Sequence, residues 1–215
     1  MALPGKLRVT GLSAAFFALA LLAIGCTCAV VALVGVWWKG ALRGTVAGLA
    51  SAHGDLSLWT FATSADLPEG SLTSKSIHLD STVLCGGASF AVRAEEICSG
   101  IQTTRALVGA AVAFAVVAVL AALLSFVAML NCGGKLDLTM GTRLLLPCSG
   151  MAVVASGLMI GAVVTGAVAG HAMGLGDFGT LSYAMGAGVY GAIFQIIANL
   201  LGAALATSAW PRAEL

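Results

Sequence analysis

The sequence predicts an all-α membrane fold: a bundle of four transmembrane helices with a small extracellular antiparallel β-sheet formed mainly by the first loop. Three observations predict it. Of the 215 residues 60% are hydrophobic and only 9% charged, against about 25% charged in an ordinary soluble domain. Four stretches, 9–38, 106–134, 144–176 and 178–211, contain no Asp, Glu, Lys or Arg. Each exceeds the roughly 20 residues that a helix needs to cross the hydrocarbon of a bilayer. The charge missing from them is gathered in one place: the segment 39–104, with Arg105 at its border, holds 11 of the 19 charged residues. A soluble four-helix bundle would need a polar face on each helix, and these stretches have almost none.

Within a single membrane domain covering 1–215, the helices are expected at about 10–36, 106–130, 145–169 and 181–205. Lys6 and Arg8 precede the first apolar run in the manner of a signal peptide, and Leu22–Cys26 loosely resembles a lipoprotein cleavage site. The run continues to Trp37 and Trp38, longer than the roughly 7–15 residues of a signal core, so a retained helix is expected. The two tryptophans and Lys39 fit an interface position at its end. Basic residues in the short connections set the orientation. Lys6, Arg8, Lys135, Arg143 and Arg212 flank one set of helix ends, and the connection between the third and fourth helices carries only Asp177. Both termini are therefore expected in the cytosol and the long first loop outside, most simply at the plasma membrane. That loop, 39–104, is too long to be structureless. Asp55–Phe61 and Ser76–Leu84 alternate apolar or β-branched residues with polar ones, as short strands do.

The six cysteines divide by location. Cys26, Cys28 and Cys148 fall in the spans. Cys132, beside the inner leaflet, is a candidate for palmitoylation or an ordinary thiol. Cys85 and Cys98 share the outer loop, where two thiols in an oxidising space are expected to pair. Free thiols are the alternative; a zinc site fits less well, because His53 and His78 lack ligand spacing.

Ser57-Leu58-Trp59, the Cys85/Cys98 pair, and Ile101-Gln102-Thr103-Thr104-Arg105-Ala106-Leu107 leading into the second helix form an ordered series. It resembles the claudin superfamily, whose first loop carries a Trp, two disulfide-bonded cysteines and an Arg at the start of the second helix. The Ser-Leu-Trp triplet is similar to that of the amastins within the same superfamily. Amastins place cysteines where this chain has Asp55 and Ala65, and claudins place the first Cys a few residues after the Trp, where here it follows by 26. The stretch Ser64–Asp80 thus behaves as an insertion. The resemblance implies that Trp59 anchors the sheet to the bilayer surface. Tetraspanins, whose large loop lies between the third and fourth helices, do not fit.

The remaining candidate residues concern packing. Gly157 with Gly161, Gly166 with Gly170, and Gly186, Gly188 and Gly191 are small residues that allow close approach of helices, within the bundle or to another protomer or protein. Gln195 and Asn199 share one face of the fourth helix and are expected to hydrogen-bond inside the bundle. Arg105 is expected to pair with Glu95 or Glu96 or to meet lipid phosphate. His171 and Asp177 are expected as interface residues. No nucleophile, carboxylate pair, phosphate loop or metal-ligand spacing appears, so the chain is not expected to be an enzyme or to need a cofactor. A net charge of +1 argues against nucleic acid. The expected function is that of a non-enzymatic membrane surface protein, claudin-like or amastin-like, serving adhesion, membrane organisation or protein recognition through its first loop. Its partners would be the lipid bilayer and other membrane proteins, met through that loop and the glycine-rich helix faces, with homo-oligomers as one form of the latter. The alternative is an accessory subunit of a larger membrane complex. A channel is disfavoured by the near balance of loop charges.

Overall fold

The computed structural model of the chain describes residues 5–46, 49–66, 72–78, 94–131, 138–172 and 181–209. The elements run α1 (Gly5–Val34), β1 (Val36–Val46), β2 (Leu49–Ser57), β3 (Thr60–Asp66), β4 (Leu72–His78), α2 (Ala94–Asn131), α3 (Leu138–Ala172), β5 (Leu181–Met185) and α4 (Ala187–Ala209). All four helices are long and apolar enough to cross a membrane, with candidate spans Ser13–Val34, Cys98–Leu130, Arg143–Gly170 and Ala187–Ser208.

Residue size is distributed inside-out. Buried positions recur every three or four residues along each helix. On α1 they are Ala15, Ala18, Leu22, Gly25, Ala29 and Ala32; on α2, Ile101, Thr104, Val108, Ala111, Ala115, Ala118 and Ala122. Alternating steps of three and four make one narrow stripe, and small residues in it let backbones come close. The large apolar side chains point outward instead: Phe17, Leu124, Val168 and Phe194 are all more than half exposed. Apolar surface of this extent suits lipid and not water.

The chain divides into two compact units. The first comprises Met1–Val30, Gly109–Ile160 and Ile193–Leu215. Its core joins Leu22, Ala118, Ala122, Cys148, Ala152 and Ala203, with Ala18, Leu145 and Ala206 forming a second cluster. Pro147 lies inside α3, because that helix begins at Leu138 instead of near 145. A proline in a membrane helix is tolerated where neighbouring groups re-satisfy the backbone.

The second unit comprises Val31–Val108 and Gly161–Ala192 and contains the sheet. Five antiparallel strands lie in the order β4-β3-β2-β1-β5. The segment expected as an insertion is mostly sheet: β3 and β4 pair from Thr60↔His78 to Asp66↔Leu72.

Three further helix boundaries depart from expectation. Residues 181–185 form β5, paired with β1 from Trp38↔Met185 to Leu42↔Leu181, so α4 starts only at Ala187. An apolar, charge-free run cannot by itself distinguish a buried strand from the start of a helix. α2 begins at Ala94, twelve residues before the expected 106. Absence of charge delimits the part of a helix suited to hydrocarbon, and a helix can continue beyond it through Glu95, Glu96 and Arg105. α1 stops at Val34, and Trp37 and Trp38 belong to β1.

Candidate functional site

Ser57, Leu58 and Trp59 lie where β1 and the β2–β3 turn meet the end of α1, and Arg105 reaches the same turn. The last four carbonyls of an α-helix have no partner within it. Here three of them are met in succession. Val31 O accepts from the Gly35 amide at 2.8 Å. Ala32 O accepts from the Trp37 indole at 2.6 Å. Leu33 O accepts from the Trp59 indole at 2.9 Å. Two tryptophan rings, one from β1 and one from the β2–β3 turn, thus cap the same helix.

Trp37 and Trp38 are both buried, against the expectation of interface rings. A strand sends neighbouring side chains to opposite faces, yet these two rings lie 5.7 Å apart. The register explains it: Val36 pairs with Ser57 and Trp38 with Leu56, so one extra residue, Trp37, bulges from β1. A bulge re-aims the side chain it carries. Both rings then rest on α3 at Gly166 and Gly170. A methyl group on Gly166 would come within 3.0 Å of Trp37 Cζ3, and one on Gly170 within 2.7 Å of Trp38 Nε1. On the opposite side a methyl on Gly188 would come within 2.5 Å of Trp37 Cδ1, and one on Gly186 would run into the Val36 carbonyl. These glycines therefore seat tryptophan rings and a strand, where close helix–helix approach was expected. Among the described residues Gly161 meets only Leu107, and Gly157 meets nothing within 4 Å. Gly191 is buried.

The turn Ser57-Leu58-Trp59-Thr60 contains no glycine, proline or asparagine, which is why Asp55–Phe61 looked like one strand. The Ser57 side chain makes the turn instead. Its Oγ accepts from the Thr60 amide at 2.8 Å and the Trp59 amide at 3.1 Å, and it lies 2.8 Å from Thr60 Oγ1. A hydroxyl that satisfies two backbone donors stands in for a backbone turn. Leu58 is fully buried, and Trp59 is 39% exposed.

Arg105 of α2 holds this turn from the other side. Its Nε donates to the Leu58 carbonyl, and its guanidinium carbon lies 5.0 Å from the centre of the Trp59 ring. The expected partners Glu95 and Glu96 lie on the same helix at least nine residues away, about 13 Å of helical rise. The helix thus carries Arg105 toward the turn. A nearby contact was not foreseen: Thr104 Oγ1 donates to Gly100 O at 2.7 Å and lies 2.9 Å from Thr165 Oγ1 of α3. Threonine hydroxyls commonly join membrane helices in this way.

Cys98 is disulfide-bonded and nearly buried; its partner lies outside the described residues, as do Cys85, Cys132 and Asp177. The side chains of His53 and His171 are likewise outside them. Cys26, Cys28 and Cys148 are free thiols. Gln195 and Asn199 are fully buried as expected, but none of their four amide atoms has a hydrogen-bond partner. Among the described residues no three His, Cys, Asp or Glu side chains gather as a metal site.

What fold and site define is a chain of four membrane-type helices with an antiparallel sheet bound to the end of α1 through tryptophan and to α2 through arginine. Sequence comparison finds no matching protein-family model and no matching curated protein.

Proposed function

We propose that the protein is a non-enzymatic integral membrane protein, claudin-like or amastin-like, that mediates adhesion, membrane organisation or protein recognition through its first loop. The observation that carries this reading is the attachment of the sheet. Trp59 ties the β2–β3 turn to Leu33 of α1, and Arg105 of α2 holds the same turn. A sheet fixed to two helices, by Trp59 at the end of α1 and by Arg105 from α2, is a rigid platform suited to recognition. In this reading the termini are cytosolic, the sheet faces outward at the plasma membrane, and Cys85 is the partner of Cys98. The distribution of basic residues supports the orientation, and the oxidised state of Cys98 supports an oxidising space on that side. The partners are the bilayer, other membrane proteins and further copies of this chain; Cys132 is a site for palmitoylation on the cytosolic side.

An epitope inserted after Glu69, between β3 and β4, tests the proposal in adherent cells. Antibody is expected to reach the tag on intact cells, and the protein to concentrate where two expressing cells touch. Arg105→Gln is expected to reach the surface without concentrating there. A tag accessible only after permeabilisation sinks the reading.

A second reading, an accessory subunit of a larger membrane complex, is favoured by Gly157, which is exposed and meets nothing within 4 Å among the described residues. Purification in mild detergent separates the two. Co-migration with a fixed set of large partners supports the subunit, and a free protein or self-oligomer supports the surface protein.

A further inference from the structure

We propose that Gln195 and Asn199 form an internal hydration site in the helix bundle, at which ordered water is held between the two amides and the backbone of α1. The proposal starts from an imbalance. Gln195 is 0% exposed and Asn199 1%, and Gln195 Oε1 and Nε2 and Asn199 Oδ1 and Nδ2 all lack a partner. Each primary amide has two N–H donors and an oxygen that accepts twice. Buried groups of this kind are met by protein or by ordered water.

The protein around them limits what the partner can be. The two residues are four apart, so they share one face of α4. Across from Asn199, α1 presents Gly25, whose missing side chain is replaced by the Asn199 amide itself: a methyl on Gly25 would collide with Asn199 Oδ1. One turn further along α4 the roles reverse, and Gly202 of α4 faces the Leu22 side chain of α1. Glycine at position 25 brings the α1 backbone against the Asn199 amide. A bound ion would need compensating charge, and the stretch 178–211 contains none. Lipid chains offer no hydrogen bond and cannot reach residues this deeply buried. Water is small and neutral, both donates and accepts, and typically makes about three hydrogen bonds at such sites. A hydrated polar pair of this kind fixes the register of α1 against α4, as a single buried asparagine does in a coiled coil.

The chain contains two glutamines, Gln102 and Gln195, and two asparagines, Asn131 and Asn199. Protein labelled with nitrogen-15 at Asn and Gln side chains in deuterated detergent micelles therefore shows only four amide pairs. Gln102→Glu and Asn131→Asp assign the other two. The expected result is magnetisation transfer from water to the side-chain amides of both Gln195 and Asn199, while their exchange with bulk deuterium oxide stays slower than that of Gln102. Asn199→Leu is expected to abolish the water signal at Gln195, because both amides are needed to hold the molecule. Transfer to Gln195 and Asn199 only from protein protons, or from detergent chains in protonated micelles, overturns the proposal. The measurement on the unsubstituted protein decides it even if the variant does not fold.

Discussion

The indole N–H of Trp37 donates to the carbonyl of Ala32 at 2.6 Å, and in doing so closes the C-terminus of α1 with a side chain from the strand that follows it. The ring is 1% exposed, so water cannot replace the bond. Trp37→Phe keeps most of the ring and removes the donor. A buried carbonyl left unpaired costs about 1–3 kcal/mol, and thermal unfolding in detergent is expected to show a loss of that size. Trp59→Phe removes the same kind of bond at Leu33 from a ring that is 39% exposed. Its loss is expected to be the smaller of the two, and equal losses would contradict this account of the cap.

The glycines of α3 divide into two sorts that can be told apart by substitution. Alanine is preferred over glycine in a helix interior by about 1 kcal/mol. At Gly157 an added methyl meets nothing, so Gly157→Ala is expected to raise the unfolding temperature of the isolated protein. At Gly166 and Gly170 it meets Trp37 and Trp38. Overpacking costs typically about 1–3 kcal/mol, which outweighs the helix gain, so Gly166→Ala and Gly170→Ala are expected to lower it. Opposite signs on one helix are the observation to look for.

These glycines also show where the sequence stopped being legible. Their spacing marked them as positions of close approach, which Gly166 and Gly170 are and Gly157 is not. What approaches them could not be read, because the tryptophans reach them through a one-residue bulge in β1, set by pairing with Ser57 and Leu56 far along the chain. The four helices were legible because exclusion of charge from hydrocarbon is a strong local constraint. The strand at 181–185 was not, since an apolar segment satisfies both a sheet and a span. Trp59 and Arg105 were each singled out in the sequence but not as partners, and the turn between β2 and β3 was hidden because Ser57 supplies with its side chain what glycine usually supplies with its backbone.

That turn gives a local prediction. Ser57→Ala removes the acceptor of the Trp59 and Thr60 amides, at a cost of about 0.5–2 kcal/mol by analogy with the loss of a helix cap. Hydrogen exchange followed by mass spectrometry is expected to show faster exchange at residues 59 and 60, with α3 unchanged. Ser57→Thr keeps the hydroxyl and is expected to retain most of the protection. Faster exchange throughout the chain would instead mean that the turn stabilises the whole fold.

Arg105 combines a planar contact with Trp59 and a hydrogen bond to Leu58. Lysine keeps the charge and loses the planar, forked donor group. A cation over an aromatic ring contributes about 0.5–1 kcal/mol at an exposed site and about 2 when desolvated. Arg105→Lys is therefore expected to be intermediate between the unsubstituted protein and Arg105→Gln when exchange of β2 and β3 is compared. If Lys and Gln variants exchange equally fast, the positive charge contributes nothing and the hydrogen bond to Leu58 carries the attachment.

Gly25 and Asn199 form a pair whose coupling can be measured directly. The Asn199 oxygen occupies the space where a side chain at position 25 would begin. Gly25→Ala is expected to destabilise the bundle by about 1–3 kcal/mol, as overpacking of a core does. Asn199→Ala removes the amide that obstructs a side chain at position 25. With Asn199→Ala in place, Gly25→Ala loses its clash and gains alanine's helix preference, so the double variant is expected to recover most of the loss. Contacting residues show coupling energies of about 0.5–3 kcal/mol in such cycles. Additive losses would place α1 and α4 further apart at this level than the close contact of Gly25 with Asn199 requires.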